Sequence, residues 1–217
     1  VSIGNCAFEN SAIKMVSLLG TNVRYIGAYA FYGSQINTFF SSNCIELVGH
    51  YAFAACESLA SVYLLPSLTT IDTSAFRGCV LLSNLDFYTS LTRIGYNAFD
   101  GCTGLATVDF HNCQEIDLGK EAFASCSSLT RIAGAEGSIK RIDDEAFRDC
   151  VLLRQIEPLS SVRIIGKRAF LNCSSYNNAM NLLDATVIDQ GAFMGCTSLS
   201  TLSLHVLYDP LVTLFGY

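Results

Sequence analysis

The dipeptide Ala-Phe occurs nine times along this chain, with the phenylalanines at 8, 31, 53, 76, 99, 123, 147, 170 and 193, so successive copies lie 22 to 24 residues apart. A unit that short cannot bury its own apolar face, and its neighbours must stack on it to form a solenoid. The register runs from Ile3 to Leu204 and leaves no room for a linker or a second domain, so residues 1–217 read as one array. Ile3 enters at the position held by Ile71 and Ile94, and Leu211 and Leu214 repeat the spacing of Leu68 and Ile71. The array is therefore expected to be an excerpt of a longer one. Apolar residues make up 51% of the chain and charged residues 15%, which suits a core running its whole length and excludes disorder.

One copy, Leu68 to Phe87, reads L-T-T-I-D-T-S-A-F-R-G-C-V-L-L-S-N-L-D-F. Its last part alternates apolar and polar residues, as does Leu59-x-x-Val62-x-Leu64, and is expected to form a short strand with one face buried. The residue after the buried Ile is Gly or Asp in every copy, a turn former. Beyond it, Ala75 and Cys79 are four apart and Phe76 and Cys79 three apart, which places all three on one side of a single helical turn. Each coil is therefore expected to be strand, turn, short helix, turn. The eighth copy departs from the rest: Tyr176, Ala179 and Asn181 stand where Leu, Val and Leu are expected inside, so a weakened or bulged strand is predicted there, with Asn178, Met180 and Leu182 outward.

Seven of the ten cysteines (56, 79, 102, 126, 150, 173 and 196) fall in one column, and Ser11 and Ser34 fill it in the first two copies. No CxxC pair occurs, and a zinc site needs clustered ligands. The column is expected to hold free thiols that pack as small apolar groups, with no metal bound. Cys44 and Cys113 lie in predicted turns and are expected at the surface. Buried free thiols also favour a reducing or anaerobic setting.

The pattern L-x-x-I-x-x-x-A-F-x-x-C-x-x-L-x-x-V-x-L, with Leu64-Leu65-Pro66-Ser67-Leu68 at one junction, resembles the BspA-like leucine-rich repeat family over nearly the whole chain. The resemblance implies an α/β solenoid: a right-handed superhelix of about nine coils, with a parallel sheet on one face and short helical turns. It also implies a place at the cell surface or in secretion, and a role in adhesion to host proteins or other cells.

The remaining composition narrows the partners. A net charge of −6 offers no footprint for nucleic acid, and no apolar run approaches the ~20 residues of a membrane span, so direct membrane insertion is not expected. Phosphate-binding glycine patterns, HExxH and GxSxG are absent, and the three histidines belong to different coils, so neither an enzyme nor a cofactor is expected. The outward strand positions form a grid. Phe40, Tyr63, Tyr88 and His111 come from four consecutive coils and lie beside Asp86 and Asp109, the mixture of rings and polar groups in which protein interfaces concentrate their energy. These six residues are the expected contact surface for a protein or glycan ligand. The alternative is a cytoplasmic structural or assembly protein that uses the same solenoid as a spacer.

Overall fold

The computed structural model describes residues 1–64, 66–110, 113–134, 139–157 and 159–204. In chain order its strands are β1 (Ser2–Ile3), β2 (Met15–Ser17), β3 (Tyr25–Ile26), β4 (Thr38–Phe40), β5 (Leu47–Val48) and β6 (Ser61–Tyr63). They continue as β7 (Thr70–Ile71), β8 (Asn84–Asp86), β9 (Arg93–Ile94), β10 (Thr107–Asp109), β11 (Ile116–Leu118) and β12 (Arg131–Ala133). The last are β13 (Ile139–Ile142), β14 (Gln155–Ile156), β15 (Ile164–Ile165), β16 (Met180–Leu182), β17 (Val187–Ile188) and β18 (Leu202–Leu204).

The expected solenoid with a parallel sheet is present, but among the described residues it is built of strands and turns without helices, and each coil carries two strands. The odd-numbered strands form one unbroken parallel sheet of nine, β1 to β17 in order, joined by eight turns of the solenoid. Its inward column is the Ile of L-x-x-I: Ile26, Val48, Ile71, Ile94, Leu118, Ile142 and Ile165 are all sealed from solvent. Register slips once, where Ile116 pairs Ile139 but Asp117 pairs Arg141, so Lys140 is a bulge. The even-numbered strands, anticipated from V-x-L, form three shorter ladders: β2-β4-β6, β8-β10-β12-β14 and β16-β18.

The short helical turn is not found: no described residue of the x-x-Ala-Phe-x-x-Cys segment is helical. Every second N–H in it reaches the next coil instead. Tyr51, Phe53 and Ala55 donate to the carbonyls of Thr73, Ala75 and Arg77 at 2.7 to 3.1 Å, while Ala52, Ala54 and Cys56 close tight turns onto residues three back. To alternate in this way the chain turns left-handed two residues before and two after each Phe, as at Tyr51 and Ala55, Ser74 and Gly78, and Asn97 and Gly101. Positive φ at the third residue of a tight turn is the geometry of type II. The i, i+3, i+4 spacing that suggested a helix is equally met by this run of turns, because both bring those side chains to one side.

A left-handed residue with a Cβ costs about 1 to 2 kcal/mol. Ala55 sits at φ 56° and Gly101, its counterpart two coils on, at φ 72° with nothing closer than 3.9 Å to a would-be Cβ. Ala55→Gly is expected to stabilise the protein by up to ~1 kcal/mol and Gly101→Ala to destabilise it by a similar amount, opposite to the usual helical order. Paired urea denaturation curves check this.

The core is a stack of rings. The nine phenylalanines lie face to face, with centroid separations from 4.9 Å (Phe31–Phe53) to 5.7 Å (Phe123–Phe147). Beside them runs the thiol column, and it does more than fill volume. Cys79, Cys102, Cys126, Cys150, Cys173 and Cys196 each place Sγ 3.1 to 3.2 Å from the Phe carbonyl of the preceding coil, and Cys56 does so at 2.9 Å. That carbonyl already accepts an N–H within its own coil, as Phe76 does from Cys79, so the thiol occupies its second lone pair.

All ten cysteines are free. Cys113 corrects the expectation of a surface turn: it is 2% exposed, its Sγ donates to the Tyr88 carbonyl at 2.8 Å, and burial pushes its thiol up to about 11. Only Cys6 and Cys44 present thiols to solvent without a place in these columns. A thiol reagent in excess is expected to modify those two in the native state and the rest after unfolding, counted by absorbance.

The eighth coil is irregular as expected, but the irregularity is a shift. Met180 pairs Leu202 and Leu182 pairs Leu204, so this copy spends one extra residue before its strand. Met180 and Leu182, expected outward, are buried at 2% and 0%, and Ala179 is left exposed. The physical reason is economy of apolar surface: a one-residue slip exchanges the faces of a strand and brings Met and Leu inside in place of Ala and Asn.

Candidate binding surface

The proposed grid is carried by the even-numbered ladders. Register aligns Ser17, Phe40 and Tyr63 across β2, β4 and β6, and Asp86, Asp109 and Ala133 across β8, β10 and β12. One column thus runs from an aromatic pair to an acidic pair. Phe40 and Tyr63 stack at 4.7 Å with planes 5° apart. Tyr63 is 52% exposed. Asp86 and Asp109 are direct neighbours on adjacent strands, an arrangement that costs repulsion unless something else offsets it.

Tyr88 lies two residues beyond the end of β8 rather than on it, 38% exposed, with its carbonyl taken by the Leu91 N–H and the Cys113 thiol. It flanks the column instead of belonging to it. His111 lies outside the described residues. Of the six expected residues, the structure therefore brings Phe40, Tyr63, Asp86 and Asp109 into one column and sets Tyr88 at its edge.

Between β6 and β8 the ladder lapses. Ala60 donates to Asn37 (3.0 Å) and Ala106 to Ser83 (2.8 Å), yet the equivalent bond from Ser83 to Ala60 is not made. A cleft of about 210 Å³ opens there, lined by Ala60, Ser61, Val62, Tyr63, Ser83, Asn84 and Asp86. Val62 is partly exposed at its floor, whereas its counterparts Phe39 and Leu85 are sealed. A second cleft, of about 170 Å³, marks the other lapse, between β14 and β16. Tyr176, in the Leu column, is buried at 2% there, and burial pushes its phenol up to about 12.

Ser61, Ser83 and Asn84 were not anticipated as site residues. The available signal was the change in one column from Tyr63 to Asp86, which ends the ring stack.

Among the described residues no group of three His, Cys, Asp or Glu side chains could hold a metal ion, and no helix is long and apolar enough to cross a membrane.

Comparison with known proteins agrees with this architecture. A leucine-rich repeat protein from Bacteroides ovatus is 25% identical with TM-score 0.57, covering 94% of this chain, which spans 65% of that protein's length. The T. pallidum leucine-rich repeat protein is 25% identical with TM-score 0.66, covering 92% of this chain and 82% of its own. A leucine-rich cell surface protein from Faecalibacterium prausnitzii, 18% identical over 95% of this chain and 83% of its own with TM-score 0.50, shares the fold. No curated protein matches the sequence. The sequence model of the BspA type leucine-rich repeat region matches six copies over residues 1–106 and 116–208. With that match covering most of its length, the chain belongs to the BspA-type leucine-rich repeat family.

Proposed function

We propose that this chain is a non-enzymatic binding scaffold, the repeat region of a cell-surface adhesin, which presents the column from Phe40 to Asp109 to a protein or glycan ligand. The observation that carries the reading is the Phe40–Tyr63 stack, half-buried at Phe40 and exposed at Tyr63, ending beside the Asp86–Asp109 pair on a preformed face. Rings beside hydrogen-bonding groups supply contact area and orientation together. A solenoid held by inter-coil bonds along its length has little ordering entropy left to lose on binding. The cell-surface designation of the F. prausnitzii neighbour supports the location.

The test uses the chain immobilised on beads and counts attachment to host epithelial cells and to purified extracellular-matrix proteins. Tyr63→Ala with Tyr88→Ala is expected to weaken attachment by at least ~2 kcal/mol, about 30-fold, with little change in melting, because both rings are exposed. Glu57→Lys, on the exposed turn side, is expected to do nothing. Asp100 is a poorer control, since its carboxylate accepts from Arg77 at 3.0 Å. Intact attachment in the tyrosine pair, with loss on the turn side, would overturn the reading.

A further inference from the structure

The cleft between β6 and β8 combines three features. The first is a ring with one face covered and one open. Phe40 of the second coil covers one side of Tyr63 at 4.7 Å, so the opposite side faces the fourth coil, where Asp86 rather than another ring occupies the column. The second is a set of directional partners around that open face. Asn84 accepts from the Thr107 hydroxyl at 2.7 Å through Oδ1, which turns its amide NH2 toward Ser83 Oγ at 3.3 Å, on the cleft wall. The Asp86 side chain lies on the cleft wall, and the lapsed ladder adds the Ser83 N–H and the Ala60 carbonyl. The third is an apolar floor, the partly exposed Val62.

We propose that this cleft binds one ring of a neutral saccharide, stacked on the open face of Tyr63; the proposal rests on the reading of this face as the binding surface. A pyranose has an apolar C–H face and a rim of hydroxyls that both donate and accept. The cleft matches both, with a ring for the face and a carboxylate, an amide, hydroxyls and a backbone pair for the rim. The lining narrows the class further: it holds no Lys or Arg, so nothing in the cleft recruits a phosphate, a sialic acid or a uronic acid. The cleft between β14 and β16 is also polar, with Gln155, Glu157, Asn178 and Asn181, but its aromatic residue is buried and offers no platform. It serves as the internal control.

The experiment titrates the isotope-labelled chain with methyl glycosides of glucose, galactose, mannose and N-acetylglucosamine, and separately with adenosine and a proline-rich peptide, following amide resonances. At least one glycoside is expected to shift Val62, Tyr63, Ser83 and Asn84, saturating in the millimolar range typical of a single small ring. Tyr63→Phe should retain the effect, Tyr63→Ala should weaken it at least ~10-fold, Asp86→Asn should weaken it, and Gln155→Ala should leave it unchanged. No glycoside shift at these amides, an unaltered response in Tyr63→Ala, or binding of adenosine or the peptide alone would overturn the proposal. If glycosides fail while the tyrosine pair still loses cell attachment, the saccharide site falls and the binding face stands. If glycosides bind at Tyr63 but attachment ignores the tyrosines, the adhesin reading falls instead.

Discussion

Replacing Phe99 with Ala is expected to cost ~3 to 5 kcal/mol, the usual loss for a buried aromatic. Phe99 is completely buried, stacked on Phe76 at 5.2 Å and on Phe123 at 5.1 Å, and tilted against Phe87 at 6.1 Å. Its removal deletes two stacking contacts at once and leaves a gap in the middle of the ring column. A neighbour cannot collapse into that gap, because each ring is held at its own coil by the flanking backbone bonds. In a solenoid the damage is passed through nearest neighbours, so amide exchange should rise first in the coils of Phe76 and Phe123. Cys102→Ser, three residues away, should cost far less: the hydroxyl keeps the donor to the Phe76 carbonyl, and Ser34 already fills this column at 3% exposure. Equal small losses from both in denaturant curves would show that the ring column is not what holds the coils together.

Stability is expected to fall steeply as the solution becomes alkaline. Burial raises the thiols of Cys79, Cys126 and Cys173, and pushes those of Cys102 and Cys150 up to about 12. In the unfolded chain they ionise near 8.5. Between that pH and about 12 the unfolded state releases protons that the folded state keeps, so the stability present at neutral pH is lost as pH rises. Each such thiol contributes a slope of ~1.4 kcal/mol per pH unit, and the Cys102 and Cys150 pair alone about 3. Between pH 8.5 and 10 that pair alone removes about 4 kcal/mol, a large share of a typical total of 5 to 15 kcal/mol. Denaturation at stepped pH under reducing conditions measures it, and Cys102→Ala with Cys150→Ala should flatten the slope by about two protons. A flat stability from pH 8 to 10 would contradict the buried protonated column.

Much of the fold was legible in the sequence because the repeat forces side chains into columns. Phe31 to Phe170, Ile26 to Ile165 and Cys56 to Cys173 are where the spacing places them. The column of Phe40, Tyr63, Asp86 and Asp109 was legible for the same reason, as the outward partner of a buried one. Less was legible wherever two backbone courses put the same side chains inside. The Ala75-Phe76-x-x-Cys79 segment meets helical spacing, and only the hydrogen bonds from Ser74, Phe76 and Gly78 to the following coil make it a run of tight turns. Met180 and Leu182 changed faces because a strand can slip by one residue to gain apolar burial.

The sequence by itself determined the period, the stacking and which side chains line the core, since each unit had no other way to bury its apolar residues. Only the tertiary structure decided where the backbone polar groups go. Those partners lie one coil away, some 23 residues along the chain, and nothing local specifies whether a given N–H closes a turn or crosses to its neighbour. The same decision, taken against pairing at Ser83 and Ala60, opened the cleft beside Tyr63.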